Sequence, residues 1–151
     1  MEYKVAVIIP TLNEEKFIAR CLDSVIEQSY PFRDMDVMVV DGGSNDRTRE
    51  IVEEYGRKYI NIRFIHNPGR IQSIAFNIGV ENSDAPYIVR LDAHALYNKD
   101  YIEKCIAGLQ NDTQIGNVGG RCKILPFNDT LWANTNAILN YSRFGIGGSA
   151  F

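Results

Sequence analysis

The 151-residue sequence has no run of basic residues, no apolar stretch near the ~20 residues of a membrane span, and neither standard glycine-rich phosphate loop. Each absence removes a class. With a net charge of −3 and no basic patch, the chain does not have nucleic acid as its main partner. Without Gly-x-Gly-x-x-Gly or Gly-x-x-x-x-Gly-Lys-Ser/Thr, hydride-transfer and P-loop enzymes are disfavoured. Cysteine is scarce. Cys21, Cys105 and Cys122 are far apart and odd in number, which favours buried free thiols in a reducing compartment over a disulfide. Met1-Glu2-Tyr3-Lys4 leads directly into an apolar run and leaves no room for a signal peptide. Cytoplasmic residence is the expectation, and the sequons at Asn111, Asn128 and Asn140 read as chance matches.

What is present is an ordinary globular balance of 45% hydrophobic and 23% charged residues, enough for one core at this length. Val5 to Ile9, Asp36 to Val40 and Tyr87 to Leu91 are short, mostly apolar runs of the kind buried on both faces in a parallel sheet, and Ile62 to His66 reads as a further strand. Between them lie helical patterns. Phe17, Ile18, Cys21, Leu22, Val25 and Ile26 make one apolar face, and a second helix spans Thr48 to Tyr59. A third carries Ile71, Ile74, Ala75 and Ile78, and a fourth runs from about Lys99 to Leu109. A glycine-punctuated strand from about Asn117 to Leu125 and a helix from Asp129 to Arg143 are expected after these. Strands alternating with helices imply βαβ units on a mainly parallel α/β sheet.

The polar residues gather where the strands end. The first strand closes at Pro10-Thr11-Leu12-Asn13-Glu14, the second at Asp41-Gly42-Gly43-Ser44-Asn45-Asp46, and the fourth at Asp92-Ala93-His94. In open α/β sheets the ligand lies outside the carboxyl ends of the strands, so these ends share one edge and read as a site. Asp92 and His94, two residues apart, point to the same side of an extended backbone. A carboxylate with an imidazole suits Mn²⁺ or Zn²⁺, and a carboxylate alone suits Mg²⁺. The glycines of Gly42-Gly43 let backbone approach a ligand closely.

These motifs carry a resemblance. Ile8-Ile9-Pro10-Thr11-Leu12-Asn13-Glu14-Glu15, Val39-Val40-Asp41-Gly42-Gly43-Ser44-Asn45-Asp46-Arg47-Thr48, Asn67-Pro68-Gly69-Arg70 with Ala75-Phe76-Asn77-Ile78-Gly79, and Leu91-Asp92-Ala93-His94 resemble the family-2 inverting glycosyltransferases of the GT-A fold. The Asp-Ala-His-Ala variant and the closing Gly145-Ile146-Gly147-Gly148-Ser149-Ala150-Phe151 most resemble succinoglycan-type exopolysaccharide glucosyltransferases. The resemblance implies a Rossmann-like nucleotide-diphospho-sugar transferase sandwich, with residues 1–151 as its donor-binding domain. It implies a nucleotide-sugar donor, UDP-linked, and a glycan or lipid-linked acceptor. In that family the residues matching Pro10, Thr11, Asn13 and Glu14 line the nucleotide pocket, and the acid matching Asp41 hydrogen-bonds the base. Arg70 and Asn77 match positions beside the ribose and diphosphate. Asp92 matches the first acid of an Asp-x-Asp motif, which contacts ribose or metal, and His94 takes the place of its metal-binding last member. A divalent cofactor, Mn²⁺ or Mg²⁺, follows, with imidazole favouring Mn²⁺. The polypeptide GalNAc transferases, similar in fold, use Asp-x-His for their metal.

The family's general base has no match in these residues, so the expectation is a C-terminally truncated chain that holds the donor half, any membrane association coming from segments further on. A non-catalytic nucleotide-sugar binding fragment and a nucleotidyltransferase remain as alternatives, the latter lacking its Gly-rich signature with a lysine. Single residues have plainer readings too. Asp41 alone would cap the following helix, and only its motif turns it toward a donor. Asp46 reads as a helix cap. Arg70 reads equally as a solvated side chain or a phosphate contact, and Asn77 as a helix surface residue or a donor contact. His66 reads as structural, Trp132 as core or an acceptor-side wall, and Arg121 has no supported role.

Overall fold

The computed structural model describes residues 3–120, 126 and 129–139. They fall into two units divided after Thr113.

In the first unit four strands form an all-parallel sheet: β1 (Val5–Thr11), β2 (Met35–Asp41), β3 (Ile62–His66) and β4 (Tyr87–Arg90), in the order β3-β2-β1-β4. The chain builds outward from β1 to β2 and β3, then returns to place β4 on the other side of β1. The strand order reverses between β1 and β4, and that crevice is where α/β sheets take ligands. Every residue of β1 and β2 is buried, as their continuous apolar runs require. β1 aligns Pro10 with Val40 and Thr11 with Asp41, while its Ile8 stands opposite Arg90, so β1 runs past the end of β4.

The alternation of side chains along β1 divides the core in two. Val5, Val7 and Ile9 pack with α1 (Ile18–Ile26), α2 (Thr48–Lys58) and α4 (Tyr101–Asn111) through Ile18, Leu22, Val52 and Ile102. Ala6 and Ile8, with Met38 and Val40, face α3 (Gln72–Glu81) through Ala75, Phe76 and Ile78. Each fully buried Val, Leu or Ile contributes about 1.5–3 kcal/mol relative to exposure, so strand interiors have no room for polar chemistry. Near the amino-terminal end of β2, Asp36 is buried and paired. Arg63 Nε and Nη2 grip its two oxygens at 2.9 and 2.6 Å, and Nη2 also donates to the Asn82 carbonyl at 3.1 Å.

The expected helices and first four strands are present, with ends shifted by one to three residues. α4 starts at Tyr101 and α3 runs on to Glu81, into the expected loop. Residues 117–120 take no regular structure, and the rest of the strand expected there lies outside the described residues, as do Arg121 and Cys122. Glycines at 116, 119 and 120 disfavour a strand at that point. In the second unit α5 (Leu131–Leu139) begins behind Thr130, whose hydroxyl accepts the Ala133 N–H at 3.3 Å. Residues 140–143 of the helix expected there are not among those described. Trp132 is 78% exposed, which excludes the core reading within the described residues.

Gly79 lets α3 sit close on the sheet. A Cβ there would stand 2.6 Å from Ile8 Cγ2 and 2.8 Å from its Cδ1. Gly79→Val therefore lowers stability by about 1–3 kcal/mol in urea unfolding. Combined with Ile8→Ala, it costs less than the sum of the two single changes, and strict additivity would contradict this packing.

Candidate functional site

The residues at the strand ends first hold one another. Asp41 is 2% exposed, and its carboxylate folds the turn that follows. Oδ2 accepts the Gly43 and Ser44 N–H groups at 2.9 and 2.8 Å, while Oδ1 accepts the hydroxyls of Thr11, at 3.3 Å, and of Ser44. All four acceptor positions of the carboxylate are thus occupied within the chain. Gly43 has φ +83°, a conformation that glycine takes without strain.

The loop after β1 is laced to the loop after β2. Asn13 N–H donates to Ser44 Oγ at 2.8 Å, and Asn13 Oδ1 accepts the Asn45 N–H at 3.0 Å. Glu14 N–H donates to Thr48 Oγ1 at 2.8 Å, Glu15 N–H to Asp46 Oδ2 at 3.1 Å, and Arg47 N–H to Glu15 Oε2 at 3.1 Å. Asn13 holds φ +57°, the left-handed region that asparagine tolerates better than most residues. The expected cap role of Asp46 is present: its Oδ1 also accepts the Thr48 N–H at 2.9 Å. Desolvation pushes the Asp46 carboxyl up, but hydrogen bonds from Thr48 and Glu15 prevail and hold it below the ordinary aspartate value.

A third turn follows β3. Asn67, 1% exposed, accepts the Gly69 N–H on Oδ1 at 3.0 Å and donates Nδ2–H to the Ile71 carbonyl at 3.1 Å. The turn sets Arg70 at φ +56° and lays its guanidinium beside Gly43. Among the described residues Arg70 has no ion pair. The fourth strand end carries the acid and the imidazole. Asp92 Oδ1 pairs with Arg90 Nη2 at 2.9 Å and accepts Gln72 Nε2–H at 3.4 Å, and the Asp92 N–H donates to Tyr97 Oη at 2.7 Å. His94 Nδ1 stands 3.0 Å from Glu14 Oε1.

Together these ends enclose a cleft of about 220 Å³ lined by Pro10, Thr11, Glu14, Arg70, Asp92 and His94, all singled out in the sequence, and by residues that were not. Among the latter, Asn67 and Gln72 bring polar groups, and Leu12 and Ile71 bring exposed apolar surface. Asn13 and Asp41 frame the cleft from the loops without lining it, and Asn77 is exposed on α3, outside it. The contribution of Asn67 had a signal, an asparagine before Pro-Gly at a strand end, where an Asx turn is favoured. Ser44 and Thr48 offered none beyond being hydroxyls.

Cys21 lies under the cleft, its thiol 3.9 Å from the Asp92 carbonyl. Burial, with the charges of Glu14 and Asp92 adding, pushes that thiol up to about 12. A neutral thiol is no nucleophile at physiological pH, so the chemistry belongs to the carboxylates, imidazole and guanidinium.

The strand ends that build this cleft all lie within a stretch of sequence that matches a known family. The family described as Glycosyl transferase family 2 matches residues 6–148. The chain belongs to that family.

This family-2 chain is 31% identical over 153 residues to the dolichyl N-acetyl-alpha-D-glucosaminyl phosphate 3-beta-D-2,3-diacetamido-2,3-dideoxy-beta-D-glucuronosyltransferase of Methanococcus voltae, covering 97% of this chain and 47% of that protein. It is 36% identical over 102 residues to the succinoglycan biosynthesis protein ExoA of Rhizobium meliloti, with 66% of this chain and 31% of that one covered. Among solved structures, the mannosyltransferase PcManGT of Pyrobaculum calidifontis, in complex with GDP-Man and Mn²⁺, superposes with a TM-score of 0.66. The identity is 28%, over 72% of this chain and 33% of that one. The chain thus spans about half the length of the first relative and about a third of the other two. The GT-A, Rossmann-like architecture expected from the motifs is the one observed. Among the described residues no helix is long and apolar enough to cross a membrane.

Asp92 and His94 bring a carboxylate and an imidazole, donor types that suit a divalent ion, to the cleft wall beyond β4. No group of three His, Cys, Asp or Glu converges among the described residues. Two protein ligands fit an ion that fills its remaining positions with water and phosphate oxygens, as small hard cations do.

Because the folded-state value of Asp46 lies below that of an unfolded aspartate, its contribution is present above the unfolded range and is lost as pH falls through the folded value. Asp46→Asn is therefore less stable than the parent at pH 7. The gap closes as pH falls below the ordinary aspartate range, read as urea midpoints. A gap that widens in acid would contradict the capping geometry.

Proposed function

We propose that this chain is the donor-binding part of an inverting glycosyltransferase. The donor is a nucleotide sugar, UDP-linked by resemblance to the family, and the acceptor a glycan or lipid-linked saccharide in exopolysaccharide or cell-surface polysaccharide assembly. The observation that carries it is the convergence of Asp92, His94, Glu14 and Arg70 on one cleft at the switch point of the sheet. The Mn²⁺ and GDP-Man of the Pyrobaculum mannosyltransferase support a metal and a nucleoside diphosphate, and the dolichyl-phosphate name of the Methanococcus relative supports a lipid-linked acceptor.

In this reading Pro10 and Thr11 form the floor on which base and ribose rest, with Leu12 and Ile71 as apolar walls. Asp41 keeps the Gly42-Gly43 turn open to the ligand and reaches a base where the Thr11 or Ser44 hydroxyl rotates off it. Arg70, unpaired among the described residues, neutralises diphosphate charge. Asp92 and His94 would hold a divalent ion, whose chemistry there would be Lewis-acid stabilisation of the departing nucleoside diphosphate. Asn13 keeps the first loop in place, and Asn77, outside the cleft, serves α3 rather than the donor.

Calorimetric titration of UDP tests the reading. Binding is expected with Mn²⁺, weaker with Mg²⁺ and absent with EDTA, and Asp92→Ala and His94→Ala each weaken it ~10-fold or more, about 1.4 kcal/mol. Unchanged affinity in both variants would overturn the site. Binding of GDP in place of UDP would keep the fold and the metal and change the donor. Transfer itself is read as acceptor-dependent release of the nucleoside diphosphate, giving a product of inverted anomeric configuration.

A further inference from the structure

The contact between Glu14 and His94 joins loops 80 residues apart, and it is asymmetric. Glu14 is the anchored partner. Its N–H is tied to Thr48 Oγ1 at 2.8 Å, its carbonyl accepts the Phe17 and Ile18 N–H groups at 2.9 Å each, and its side chain is only 19% exposed. His94 is 62% exposed on a short turn, so the ring takes its orientation from the acid. An ionised carboxylate only accepts hydrogen bonds, and a neutral imidazole carries one N–H. With Glu14 Oε1 at 3.0 Å from Nδ1, a neutral ring that donates to it carries its proton on Nδ1 and leaves the lone pair on Nε2. Asp92 shows the same division of labour. Its Oδ1 takes Arg90 and Gln72, and among the described residues Oδ2 has no partner.

We propose that Glu14 is a positioning residue, whose carboxylate fixes the His94 ring in the Nδ1–H tautomer and so leaves Nε2 free for a divalent ion in the cleft that Asp92 also lines. The inference rests on the metal reading of Asp92 and His94 and goes beyond it, giving Glu14 to the imidazole instead of the nucleotide. Outer carboxylates that orient a ligating histidine are typically worth ~10–100-fold in metal affinity.

The tautomer is read directly from the ring-nitrogen chemical shifts of ¹⁵N-histidine-labelled, metal-free protein, which also separate the neutral forms from the protonated ring. His66, the only other histidine, is told apart with His66→Gln. The parent is expected to show Nδ1–H at His94. Glu14→Gln keeps it, because the amide oxygen still accepts, and Glu14→Ala reverts to the Nε2–H form that free side chains favour. In parallel, Mn²⁺ binding with saturating UDP, read by electron paramagnetic resonance, falls ~10–100-fold in Glu14→Ala and recovers most of the loss in Glu14→Gln. Circular dichroism melts show that both variants fold. An Nε2–H tautomer in the parent, or no tautomer change in Glu14→Ala, overturns the proposal. If His94→Ala weakens Mn²⁺ while Glu14→Ala does not, the metal reading stands and only the positioning role falls. If His94→Ala leaves Mn²⁺ binding intact, or the parent binds none, both fall.

Discussion

The parallel pairing of β1 with strands on both sides is the constraint on which the rest of the molecule depends. Held between β2 and β4 and covered by helices on each face, β1 is buried along its whole length. A polar group in its interior would stay unpaired at a cost of about 1–3 kcal/mol, so chemistry is driven to its carboxyl end. There β1 outruns β4, leaving Pro10 and Thr11 as one wall of a crevice and Asp92 and His94 as the other. The opposite end of the sheet offers an acid too, but Arg63 holds both oxygens of Asp36.

At the carboxyl edge, much of the polar chemistry is devoted to building the loops. Asp41 exhausts its acceptors on Thr11, Gly43 and Ser44, and Asn13 spends its carbonyl on Asn45. Five bonds between the loops after β1 and β2 give the cleft rigid sides, which is how a site on loops keeps its geometry. Among the described residues the cleft still offers a ligand the Arg70 guanidinium, one oxygen of Asp92 and one nitrogen of His94. In the proposed reading these are a cation and two metal donors, which suit a diphosphate with its counterion.

How much of this was legible in the sequence follows from the range of each interaction. The first four strands were readable because runs such as Val5 to Ile9 report their own burial, and the helices because Ile18, Cys21, Leu22 and Val25 repeat at the helical period. Strand ends followed from the turn residues, so the composition of the edge was visible. Its internal wiring was not. Nothing in Ser44 or Thr48 announces that they receive N–H groups from a loop more than 30 residues earlier, because such pairs have no period. Asp41 and Asn13 were recognised as site residues by motif, yet the direction of their side chains is set by the turn they stabilise. The strand expected from Asn117 is not seen over 117–120, where the expectation rested on apolar residues between glycines, a pattern that does not supply a pairing partner.

The central claim is that Asp92 and His94 hold a divalent ion on a nucleoside diphosphate in this cleft. It is tested most directly by anomalous scattering from crystals grown with UDP and Mn²⁺, collected at the manganese edge. The account predicts one strong anomalous peak within coordination distance of Asp92 Oδ2 and His94 Nε2, with the diphosphate completing its ligands beside Arg70. A well-ordered UDP whose phosphates lie away from Asp92 and His94, or a manganese peak bound by other residues, would contradict it.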